Sequence, residues 1–138
     1  MATSTIFYQG KLHTEARHNQ SGTLINTDAP VDNNGKGEAF SPTDLCATSL
    51  ACCMLTVMGI AAESKNIPFN KVEVQLQKVM ASDPRRISRI EITMKIFDEG
   101  LSEKDKAILE NTARTCPVAK SLHPDIEQDI TFSYENAD

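Results

Sequence analysis

The sequence contains no tryptophan, and aromatic residues make up only 5% of its 138 residues. Positive charge is also short: 14 Lys and Arg face 19 Asp and Glu, a formal net charge of −5. Without a basic excess a chain cannot grip a phosphate backbone, so no nucleic-acid partner is expected. The first residues, MATSTIFYQG, lack a basic stretch followed by an apolar run, so no secretory leader is read and a cytoplasmic location is expected. Internal repeats, low-complexity tracts and long linkers are missing as well. What remains, with 40% hydrophobic and 24% charged residues, is ordinary globular composition, and residues 1–138 fit a single domain.

The cysteines also lack familiar spacing. Cys46, Cys52, Cys53 and Cys116 contain no C-x-x-C and have no neighbouring histidine, which argues against zinc and against a thioredoxin-type dithiol. In a reducing compartment four cysteines are not a disulfide scaffold, so each is core packing or thiol chemistry, and core packing is the default for any one of them.

Residues 5–13 and 21–27 are rich in β-formers and read as a hairpin, with a mobile turn around 14–20. Residues 29–42, dense in Gly, Pro and Asn, read as a surface loop. Ser41-Pro42-Thr43-Asp44 then opens a helix: a Ser cap, Pro at the first helical position, an acid at the third. From Leu45 to Ala62 eighteen residues carry no charge, the lower limit for a membrane span. Many of them are small, and no basic flank follows, so a buried soluble helix is expected rather than a membrane partner. Such a helix over 42–65 runs ~36 Å, about the full diameter of a domain this size. Being apolar on every side, it needs cover on every side. A second copy of the chain supplies that cover most simply, so a homodimer is expected.

Residues 72–80 and 87–97 alternate apolar and polar and read as strands with a turn between. Residues 102–115 form an amphipathic helix with a Ser cap, Pro117 opens a short helix over 117–122, and 125–135 is a last strand. The fold class is therefore α+β in the order ββ-α-ββ-α-β, with antiparallel pairing. Cys116 falls at the N-cap of the short helix, facing free backbone N–H groups, a location that favours its thiolate.

SPTDLCATSLACCM, followed by TCPV with its cysteine 63 residues after Cys53, resembles the OsmC/Ohr family of thiol-dependent peroxidases. Members carry a Pro-Glu or Pro-x-Glu start to a central helix, a cysteine eleven residues after that Pro, and a late Cys-Pro. Pro42 plus eleven is Cys53. The segment ARHNQSGTLINTDAP is similar to the family's N-terminal segment, where an arginine lies between the first two strands, and the likeness extends over residues 5–135.

The resemblance implies antiparallel sheets packed on a long central helix in an intertwined homodimer. It implies an enzyme that reduces organic hydroperoxides, with no bound cofactor and with an external dithiol, lipoyl-type in many members, as reductant. Cys53 becomes the peroxidatic cysteine and Cys116 the resolving one, cycling through a Cys53–Cys116 disulfide. Arg17 supplies the positive charge, with His18 a nearby rival. Asp44 stands where the family has a glutamate and orients the arginine, with Glu38 as its alternative. Asp44 also has a plain structural job at the helix cap. The apolar residues Phe40, Leu50, Met54 and Val57 suit a bulky peroxide and equally suit a core. The shortened acid and the extra cysteines Cys46 and Cys52 leave another reading open, a non-catalytic redox sensor or small-molecule binder on the same scaffold. If Cys46 and Cys52 are core, they should resist alkylation in the folded protein.

Overall fold

A computed structural model describes residues 1–136. The chain divides into two compact units, Met1–Cys46 and Ala47–Asp138.

In the first unit β1 (Ser4–Tyr8), β2 (His13–His18) and β3 (Leu24–Asp28) form an antiparallel meander. The expected strand over 5–13 is broken because Gly10, Lys11 and Leu12 take φ of 80°, 54° and 63°, turning the chain back on itself. The segment expected to be a mobile turn is β2, whose Ala16 and Arg17 pair with Ile6 and Thr5 on one side and with Ile25 and Leu24 on the other. Three strands therefore precede the long helix, not two. The loop after β3 is as expected, with one 3-10 turn at Val31–Asn33. Among the described residues of this unit only Thr27, Asp28 and Ser41 are buried, while Ile6, Phe7, Tyr8, Leu24 and Ile25 are exposed.

The helix α1 runs Pro42–Lys65. Its start is a reciprocal cap: Ser41 Oγ accepts the Asp44 N–H at 3.0 Å and Asp44 Oδ2 accepts the Ser41 N–H at 3.0 Å. Its end is closed by Asn66 at φ 54° and by the Ile67 N–H reaching Ala62 O at 2.9 Å.

In the second unit β4 (Val72–Ala81) and β5 (Arg86–Asp98) pair antiparallel, and β6 (Glu127–Asn136) adds to the other edge of β5. That last pairing is parallel, which corrects the all-antiparallel expectation. Two helices, α2 (Glu103–Ala113) and α3 (Pro117–Ser121), lie between β5 and β6 in sequence. A connection of that length carries the chain back to the start of the sheet, which a hairpin cannot do. The observed order is βββ-α-ββ-αα-β, still an α+β fold.

Ile90, Ile92, Met94 and Ile96 occupy one face of β5 and are buried. With them in the core are Leu109 and Ala113 of α2 and a stripe on α1 of Ala47, Leu50, Ala51, Met54, Met58 and Ala62. By length and composition α1 could cross a membrane, with a mean hydropathy of 2.0 over its apolar window. The buried stripe at three- and four-residue spacing marks it as a core helix. Its opposite side, including Cys52, Thr56 and Ile60, is exposed, so a single chain does not cover the helix all round.

Ser102 caps α2 as Ser41 caps α1: its Oγ accepts the Asp105 N–H at 3.0 Å, and Asp105 Oδ2 accepts the Ser102 N–H at 3.1 Å. Ser102→Ala should cost about 1 kcal/mol of stability, a fall in Tm of about 3–6 °C by calorimetry. An unchanged Tm would mean that α2 does not depend on this cap. The helix is tied to β6 through the Tyr134 hydroxyl, which donates to Glu110 Oε2 at 2.6 Å, and through Arg114 lying 5.3 Å over the Phe132 ring. These contacts fix the end of α2, three residues before Cys116.

Candidate active site

Cys53 lies on α1 between the fully buried Leu50 and Met54 and is itself half-buried. Cys116 is fully buried in the break between α2 and α3. Pro117 cannot donate to the preceding turn, so α2 stops and a new helix starts with Cys116 as its N-cap, as expected from the sequence. The Cys116 sulfur accepts the Ala119 N–H at 3.4 Å. The two thiols, far apart in sequence, lie near enough that Cys53 acts on the acidity of Cys116.

The acidity of Cys116 differs from the expectation for an N-cap. Burial pushes its thiol up, and the neighbouring Cys53 sulfur pushes it further the same way. The Ala119 and Val118 N–H groups pull in the other direction and do not prevail. Removing a sulfur from water disfavours its anion more than two backbone dipoles restore it. Cys116 is therefore held as a thiol.

All four cysteines are free. Cys46 is half-buried and Cys52 is exposed on the other side of α1, so core packing, the default reading for a cysteine, does not hold for Cys52. Labelling of Cys52 in a lone chain would follow from exposure alone. Among the described residues no group of three or more His, Cys, Asp or Glu is arranged to hold a metal.

The remaining candidates lie in the first unit. Arg17 is on β2 and exposed, opposite Thr5 and Leu24. Asp44 is half-buried and its carboxylate takes part in the α1 cap. His18 Nδ1 is 2.6 Å from Ser21 Oγ, and Glu38 is exposed, with its backbone N–H bound to Asp28. Of the apolar candidates, Leu50 and Met54 are core, Val57 is half-buried and Phe40 is exposed.

One polar pair went unread in the sequence. His13 and Asp28 face each other across β2 and β3, with His13 Nδ1 2.5 Å from Asp28 Oδ1. The pairing becomes visible only once HTEARH is taken as a strand.

The OsmC-like protein family model matches residues 35–131. The chain belongs to the OsmC-like family. A crystal structure from Psychrobacter arcticus 273-4, named for osmotic stress induction and a detoxification response, is 55% identical. It matches with a TM-score of 0.91 over 96% of each chain. An organic hydroperoxide resistance protein from Legionella pneumophila shares the fold at 16% identity and a TM-score of 0.71, over 96% of this chain and 98% of its own. One of the same name from Elizabethkingia anophelis does so at 16% and 0.68, over 98% of each. No curated protein matches the sequence. The OsmC-like fold accounts for the two small sheets and the long helix, and some of its members carry the hydroperoxide resistance name.

Proposed function

We propose that this OsmC-like protein is a thiol peroxidase for organic hydroperoxides, and the observation that carries the reading is the nearness of Cys53 to the buried Cys116, whose acidity it shifts. The Cys53 thiolate attacks the outer peroxide oxygen, the O–O bond breaks, and the alkoxide leaves as an alcohol after taking a proton. The Cys53 sulfenic acid is then attacked by the Cys116 sulfur, an S–S bond forms, and the hydroxyl departs as water. An external dithiol, lipoyl-type by the family resemblance, takes the disulfide back to two thiols and is itself oxidised. By the same resemblance Arg17 stabilises the thiolate and the leaving alkoxide, and Asp44 orients it.

The protein works as a homodimer in this reading. Support comes from the exposed apolar side of α1, with Ile60 at 63% exposure, and from a first sheet without a hydrophobic core of its own. Four free thiols suit a reducing, cytoplasmic setting.

Consumption of cumene hydroperoxide with dihydrolipoamide or dithiothreitol tests the reading. Catalytic turnover supports it; oxidation of one equivalent without turnover would turn it into a sensor, and no thiol reactivity would end it. The resolving step carries a pH signature. It needs the Cys116 thiolate, whose formation burial opposes. Disulfide formation after a single peroxide pulse should therefore keep accelerating as pH rises through the ordinary thiol range. A plateau below that range, by stopped-flow, would contradict the assignment.

A further inference from the structure

The first unit holds a cavity that the thiol cycle does not use. It measures about 400 Å³ and is lined wholly by residues of that unit, including Lys11, His13, Asn26, Asp28, Lys36 and Glu38. Asp28 is only 6% exposed, and a carboxylate that buried needs partners. Its Oδ1 lies 2.5 Å from His13 Nδ1, and its Oδ2 accepts the Glu38 N–H at 3.2 Å. The Asp28 charge is thus used within the protein. The same contact orients the imidazole, with Nδ1 turned to Asp28 and Nε2 on the other side of the ring.

The walls are set by backbone with little freedom. Gly10, Lys11 and Leu12 are all left-handed, at φ 80°, 54° and 63°, a region that disfavours residues with a Cβ. The Ala29 N–H binds Leu12 O at 3.1 Å and the Gly37 N–H binds Ala29 O at 3.2 Å, which joins this turn to the loop after β3. At Gly35 an added Cβ would sit 1.7 Å from Ala29 O, so the loop passes where only glycine fits. Lys11, Lys36 and Glu38 make no side-chain ion pair or hydrogen bond among the described residues. Two ammonium groups and the Glu38 carboxylate therefore remain to meet a ligand. The Asn26 amide oxygen and the Glu38 carboxylate add acceptors for hydroxyl groups, and the His13 ring adds a further polar contact.

We propose that this cavity binds a small polyhydroxylated monocarboxylate. Lys11 and Lys36 hold the carboxylate, while His13, Asn26 and Glu38 hydrogen-bond its hydroxyl groups. Glu38 disfavours a second acid group on the ligand.

The test is a titration of the full chain, labelled with ¹⁵N, using D-gluconate as probe. Hexanoate serves as the same length of acid without hydroxyls, and sorbitol as the polyol without charge. Gluconate should give saturable shifts at amides of residues 10–13 and 26–39. Hexanoate and sorbitol should each bind about tenfold more weakly, the loss of one set of charged or polar contacts. Lys36→Ala, an exposed change that leaves the rest of the spectrum in place, should weaken gluconate about fivefold. No saturable shift with gluconate, equal binding of hexanoate, or unchanged affinity in Lys36→Ala overturns the proposal.

Discussion

Cys53→Ser should reduce peroxide turnover by a factor on the order of 10³ or more, the scale seen when an enzyme loses its nucleophile. A serine hydroxyl is not ionised near neutral pH and is a poor attacker of a peroxide oxygen, so the O–O bond finds no partner. Cys116→Ser should behave differently. Cys53 would still be oxidised once, one alcohol would be released, and the sulfenic acid would persist long enough for dimedone to trap it. Mass spectrometry after one equivalent of cumene hydroperoxide separates the two variants. Loss of the first oxidation event in Cys116→Ser alone would reverse the assigned roles, and full turnover in Cys53→Ser would remove Cys53 from the chemistry.

The second large effect concerns the two sides of α1. Leu50 is fully buried, and Leu50→Ala should cost about 2–5 kcal/mol. That is a large share of the roughly 5–15 kcal/mol that holds a domain together, and it should lower Tm by about 8–20 °C. Guanidinium unfolding would show it. Ile60 lies on the exposed side of the same helix. Ile60→Asp should change the stability of one chain by no more than about 1 kcal/mol but convert a two-chain species to a one-chain species in sedimentation. Cys52 shares that exposed side, so iodoacetamide should label it faster in Ile60→Asp than in the wild type. An Ile60→Asp protein that sediments like the wild type would place the dimer contact elsewhere. A harmless Leu50→Ala would mean that the stripe is not the core.

Features written in neighbouring residues were legible in the sequence. The Ser41 and Ser102 caps, the strands over 72–80 and 87–97 and the short helix after Cys116 all follow from local chemistry, and each is present. The family likeness pointed to Cys53 and Cys116, and the fold places Cys53 near enough to Cys116 to act on its acidity. What escaped depends on distant parts of the chain. HTEARH has no apolar alternation, and β2 exists because β1 and β3 flank it. The direction of β6 is set by its sheet partner, with nothing in its own residues to mark it. The acidity of Cys116 follows from burial, which its N-cap position does not reveal. Cys52 and Cys53 are adjacent and chemically identical, and only the rotation of a helix by one residue exposes one and half-buries the other.

The parallel pairing of β6 with β5 sets an order of assembly. Each β6 residue sits beside one that precedes it by thirty-eight positions, Glu127 with Arg89 through Asn136 with Asp98. On the ribosome, β4 and β5 can zip together as soon as they emerge, but the far edge of β5 stays open until residue 136 has left the exit tunnel. Through that interval the row of Ile90, Ile92, Met94 and Ile96 lacks its neighbours on one side. A nascent chain in that state is open to pairing with other strands, so production of this protein should be most vulnerable to misassembly just before its last strand arrives.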